Sequence, residues 1–274
     1  MARVNALEAA QQLALKGDID GARKSLQSLA DAGDGAACAA LAEIAAFTGD
    51  WPAVLRHVAL ALSRPGDLYS LNVYEDLAML AARAGKELGA WESLGDIARA
   101  AKEVLPVEGD ESTEAWIGIA ENLARASKRK SAKALLTPPV LAAETRKAKF
   151  DSGLQGLDDP KMKKRYPSPT ARGNYLYALA RGLDFPQGAI QQWDRSALPP
   201  SDYEAAEFLA SALASAGRSD EAWRIVEGSV PNWWPVSLSQ VAPVGLLTDP
   251  SLASLMNAEH CATVLRTPRA GHAE

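Results

Sequence analysis

The chain has 274 residues, a formal net charge of −5 and two cysteines, Cys38 and Cys261, near opposite ends. That balance argues against indiscriminate nucleic-acid binding by the whole surface, and two distant cysteines give no disulfide framework, which fits a reducing cytoplasm. Apolar residues at 47% suffice for a packed core, while aromatics at 6% and abundant alanine favour closely approached helices, so the expected class is all-α.

The start, Met1 to Lys16, is broken by Glu8, Gln11 and Gln12, which suits an amphipathic helix and not a secretion signal. No stretch reaches the roughly 18 consecutive apolar residues of a membrane span. The first hairpin is read from Val4 to Ala30, with Leu7, Ala10, Leu13 and Ala14 before a Lys16-Gly17-Asp18 turn and Ala22, Leu26 and Leu29 after it. A second, Gly35 to Arg64, repeats the grammar around Thr48-Gly49-Asp50, and Pro65 stops it. A third, Leu71 to Ala101, places its turn at Gly85, where glycine permits the left-handed exit from a helix. A fourth, Glu114 to Leu136, has Ser127 in place of the glycine.

Pro138-Pro139, a helix from Val140 to Phe150 and an Asp158-Asp159-Pro160 turn break the series, and Gly153-Leu154-Gln155-Gly156 reads as a turn. A fifth hairpin, Arg172 to Ala197, turns at Asp184-Phe185-Pro186, and a sixth, Ser201 to Gly228, turns at Gly217. The predicted organisation is 1–136 N-terminal repeats, 137–170 an irregular basic insertion that is part helical, 171–230 C-terminal repeats and 231–274 a cap and tail, read as one continuous domain. The cap is expected to hold short helices near Pro250 to Met256 and Ala258 to Leu265. Trp233 and Trp234 either cover the exposed end of the core or form an aromatic binding platform.

The spacing of Leu209-Ala210, Leu213, Gly217, Ala222 and Val226, repeated less fully upstream, resembles the tetratricopeptide repeat family over roughly residues 4–228. The resemblance implies a right-handed superhelical array of about six hairpins whose first helices line a concave, protein-binding groove. It places Gln11, Glu43, Met79, Glu121, Ala178 and Ser211 at corresponding groove positions, with Arg83, Arg125 and Arg181 near the helix ends and Asn174 as a polar contact. The full set of lysines and asparagines that grips a terminal carboxylate is missing.

Chemistry is sparse. His57, His260 and His272 form no catalytic or metal-binding pattern, and adjacent His260 and Cys261 point about 100° apart on a helix. No catalytic, cofactor or metal site is predicted. From Lys128 to Arg165, 11 Lys or Arg stand against 4 Asp or Glu, a basic island in an acidic chain. Its sharpest run, which includes Lys163, Lys164 and Arg165, is either a solvated surface or a contact for an acidic protein or nucleic-acid phosphates. The expected function is a non-catalytic protein- or peptide-binding scaffold. The alternatives are an immunity-type inhibitor of a toxin, an enzyme on a helical solenoid, or a nucleic-acid binder through residues 128–165.

Overall fold

The structure is a computed structural model that describes residues 2–63, 71–89 and 143–270. Their regular structure is helical and includes no strand, so the described part of the chain is all-α. The helices are α1 (Ala2–Leu15), α2 (Ile19–Asp31), α3 (Gly35–Phe47), α4 (Trp51–Leu62), α5 (Leu71–Leu88), α6 (Ala143–Gly156), α7 (Pro160–Arg165), α8 (Pro169–Gly182), α9 (Pro186–Ser196), α10 (Tyr203–Ser215), α11 (Ser219–Ser229), α12 (Gly245–Thr248) and α13 (Ala258–Arg266). None of these helices is long and apolar enough to cross a membrane.

The chain forms two compact units. The first holds residues 1–137, 234–248 and 256–274, and the second holds 138–233 and 249–255.

From α1 to α4 each helix is stopped and the next one started by the same two residues. Gly17, Gly33 and Gly49 take the left-handed conformation, with φ of 85°, 94° and 73°. The aspartate that follows each of them, Asp18, Asp34 or Asp50, accepts a hydrogen bond from the amide three residues on. Glycine satisfies the last carbonyls of one helix and aspartate the first amides of the next, so a Gly-Asp pair is a complete helix-to-helix joint. The pairs recur every sixteen residues, and α1 to α4 pack in sequence on their neighbours.

The third joint lies elsewhere than the glycine pattern predicts. α5 passes through Gly85 and ends at Gly89, φ 64°. Lys86, Glu87 and Leu88 are good helix formers, and an Arg83–Glu87 ion pair of 2.8 Å spans the glycine, so the helix persists. The partner helix expected at Ala90 to Ala101, and the whole fourth hairpin, lie outside the described residues.

The core of this unit gathers Leu7, Ala10, Leu26, Ala37, Leu41 and Ile44 with Val241 from the C-terminal part of the chain. α3 is buried along its entire length. At the other end, Arg269 donates its backbone N–H to Leu15 O at 2.8 Å and its guanidinium to Val264 O at 3.1 Å, which ties the end of α13 to the first hairpin. The cap differs from expectation: its helices are α12 and α13, while residues 250–255 are turns, with the Asp249 carboxylate accepting from the amides of Ser251 and Leu252.

In the second unit, α8 with α9 and α10 with α11 form the two expected hairpins. Gly217 provides a left-handed joint at φ 78°, whereas Asp184 and Ala197 adopt φ 48° without being glycine. Gly153 and Gly156 belong to α6 and are no turn. A Cβ on Gly153 would lie 2.3 Å from Leu179 Cδ2, so glycine is there to let α6 approach α8. The basic stretch is thereby anchored through buried Phe150 and Leu157, and its described part is two helices.

Gly17 and Gly49 share a conformation but differ in surroundings. A Cβ at Gly49 meets nothing, whereas one at Gly17 would lie 2.4 Å from Arg266 O. Gly49→Ala should therefore destabilise the first unit by about 1 kcal/mol from backbone strain alone, and Gly17→Ala by about 3 kcal/mol once the clash is added. Urea unfolding followed by circular dichroism measures both; equal losses would contradict the close approach of α13.

Candidate functional site

The first unit uses the inner faces of α1, α3 and α5 to hold a non-helical stretch of its own chain, residues 236–242. Gln11 on α1 donates through Nε2 to Ser237 O and Gln240 O, both at 2.7 Å. Glu43 on α3 accepts through Oε2 from the Val241 N–H at 2.7 Å and the Ala242 N–H at 2.9 Å. Asp76 on α5 accepts from Gln240 Nε2 at 2.7 Å, while Gln240 Oε1 accepts from the Val236 N–H at 2.9 Å. One turn bond, from the Gln240 N–H to Ser237 O, folds the segment on itself.

Local sequence explains why these three side chains line up. Gln11 and Glu43 both stand six residues before the left-handed glycine that ends their helix, and Asp76 follows Glu43 by thirty-three residues. Val241 fills the apolar core beside them, Leu238 packs against it, and Ser239, Gln240 and Ala242 are buried as well, so the segment is held by polar groups along its backbone and by its side chains.

Glu43 is 2% exposed and is the one charged residue in α3. Burial raises its pKa well above the usual carboxyl value, the negative charge of Asp76 adds to the rise, and the Val241 and Ala242 amides oppose it. A partner cannot reach Glu43 in this arrangement, because the chain itself occupies the position. The register also shifts: Asp76, one helical turn before Met79, faces the segment, and Met79 is exposed.

A cleft of about 610 Å³ lies at the turn end of the same hairpins, with Arg23, Trp51, Arg83, Glu87, Cys261 and Arg266 on its walls. Arg83 sits 5.7 Å from the Trp51 ring centroid, pairs with Glu87 and donates to Leu247 O at 3.3 Å. Burial pushes the Cys261 thiol up to about 11, outweighing the pull of Arg83, so it is a protonated, poorly nucleophilic group near neutral pH. His57 is buried in α4 with its pKa lowered, first by burial and then by Arg56. Among the described residues no three His, Cys, Asp or Glu side chains are grouped to hold a metal.

The remaining predicted contacts scatter. Asn174 exchanges two hydrogen bonds with Ser201, donating to Oγ at 2.7 Å and accepting from its N–H at 3.1 Å, and so fixes the loop before α10. Arg181 is paired with Glu204. Lys163 stands 3.5 Å from Asp158 and Arg165 lies over the Tyr166 ring, with Lys164 exposed beside them on α7. Trp233 is buried within the second unit, and Trp234 is 57% exposed. Glu121, Arg125 and residues 128–142 lie outside the described residues. Repeat register places Gln11 and Glu43 at groove positions, while Asp76 and Gln240 are contacts sequence reasoning missed; a lone charge inside an otherwise apolar helix is a second signal for Glu43.

Because the native Glu43 pKa exceeds the roughly 4.3 of an unfolded glutamate, the folded state holds the proton more tightly. Its contribution favours folding at low pH and is lost as pH rises from about 4.3 toward the raised native value. Glu43→Gln keeps an oxygen acceptor for the two amides and cannot ionise, so its unfolding free energy should fall less steeply over that range. Urea midpoints from pH 4 to 8 test this, and parallel curves for both proteins would refute it.

Comparison with known proteins gives no match to any family model, any curated protein or any solved structure.

Proposed function

We propose that the chain is a non-catalytic protein- or peptide-binding scaffold, built as a helical-repeat array of the tetratricopeptide kind. The observation that carries this reading is the use of Gln11, Glu43 and Asp76, one from each successive first helix, to hold backbone and amide groups of a non-helical segment. Side chains at a repeat interval matched to the backbone of a guest are what recognition of a peptide along such an array requires. Two buried cysteines, Cys38 and Cys261, that form no disulfide with one another fit a reducing compartment, and we propose the cytoplasm.

The cleft at the turn end of the hairpins suits the side chains of a partner. Arg83, held over Trp51, presents a flat cation whose guanidinium already serves a backbone carbonyl, and Arg23 and Arg266 add positive charge to walls that also carry Asp20 and Glu87. A partner of mixed charge with a carboxylate near Arg83 fits this lining.

Affinity capture with the intact chain and with Arg83→Ala, followed by mass spectrometry, tests the proposal. At least one protein should be recovered in near-stoichiometric amount by the intact chain and be depleted about tenfold or more by the substitution, a loss of roughly 1.4 kcal/mol in binding. Equal recovery by both, with unchanged helicity, would move the partner site away from this cleft. No enrichment by the intact chain would count against the scaffold.

A further inference from the structure

We propose that residues 236–242 are a built-in ligand of the α1–α3–α5 face, and that the face accepts in their place a partner segment carrying glutamine followed by two small apolar residues. This rests on the peptide-binding reading above and names the peptide.

The self-bound segment supplies the specification. Four of its contact groups, Ser237 O, Gln240 O, Val241 N–H and Ala242 N–H, are backbone atoms that any chain offers. Selectivity comes from Gln240, whose amide nitrogen reaches Asp76 and whose amide oxygen holds the Val236 N–H, and from Val241, which enters the core cluster. Asparagine would fall short by one carbon, and a glutamate would bring a third carboxylate against Glu43 and Asp76.

The same contacts make the segment exchangeable. Apart from its internal turn, helix side chains serve the Ser237 and Gln240 carbonyls and the Val241 and Ala242 amides, side chains of the segment itself serve the Val236 and Ser239 amides, and no backbone ladder is involved. When it leaves, Gln11, Glu43 and Asp76 are polar groups that water can serve, and the Glu43 carboxyl regains the hydration that burial denies it. The upstream end is loosely held: Val236 is 67% exposed and its amide bonds only to Gln240 of the same segment. The downstream end stays fixed through buried Val244, Leu246 and Leu247, so the segment can swing out without detaching α12.

A fluorescein-labelled peptide with the sequence of residues 234–248, titrated against the full-length chain by fluorescence polarisation, tests the exchange. The Gln240→Ala chain, whose own segment has lost its grip on Asp76, should bind the peptide at least tenfold more tightly than the unaltered chain. A peptide carrying the same Gln240→Ala change should bind that chain at least tenfold more weakly than the native peptide, and adding Gln11→Ala to the chain should abolish binding. No binding to a folded Gln240→Ala chain, or equal affinity for both peptides, overturns the proposal while leaving a partner captured through Arg83 untouched. Hydrogen exchange on the unaltered chain decides the matter if Gln240→Ala does not fold. The Val241 and Ala242 amides should exchange at least tenfold faster than the core amides of α3, and exchange at the same rate would show that the segment never opens short of unfolding.

Discussion

The first unit depends on satisfying the backbone of a segment that has no secondary structure of its own. Buried amides and carbonyls without partners cost about 1–3 kcal/mol each, so a non-helical stretch can enter a core only where something else bonds to it. Here α1, α3 and α5 provide that with one polar side chain apiece, and the Glu43 carboxyl does so wholly buried, its pKa raised by burial and by the charge of Asp76. Burial of Val241 in the cluster with Leu7, Ala10 and Leu41 returns roughly 1.5–3 kcal/mol of hydrophobic stabilisation, which helps to keep the segment seated.

Much of the helical framework was legible because its signals are local. Gly17-Asp18 and Gly49-Asp50 mark real joints, and Gly33-Asp34, which the hairpin pattern passes over, is the same joint between hairpins. Gly85 misled for an equally local reason: a glycine four residues before the true helix end carries the same letter, and only the Arg83–Glu87 pair and the left-handed Gly89 distinguish them. The candidate site was only partly legible. Glu43 was picked out by position, but its bonding partners lie about 200 residues further along the sequence, and nothing in the neighbourhood of either stretch encodes their meeting.

The second unit achieves similar joints with less favourable residues. Asp184 holds a left-handed φ with its N–H bonded to Arg181 O at 2.9 Å, and Arg146 donates to both its carbonyl and its carboxylate. Arg218 stands where the first unit has aspartate, and it compensates by pairing with Glu221 in the first turn of α11 and with Asp194. Glu221 also accepts from Trp193 Nε1, and the Arg218 guanidinium, helped by that indole N–H, pulls the carboxyl down to about 2. These side-chain networks replace the Gly-Asp joint that links α1 to α4, which is why the glycine pattern fades in this part of the sequence.

The tie between Arg269 and Leu15, and the seating of residues 236–242 on α1 and α3, bring the two extremes of the described chain into one folded body. On a ribosome that makes the chain from its N-terminus, α1 to α5 emerge long before the residues that complete their core. During that interval Glu43 faces water with its proton dissociated and the apolar wall around Leu7 stands uncovered. The order of synthesis thus leaves this face of the nascent chain uncovered for a time, and completion of the chain covers it.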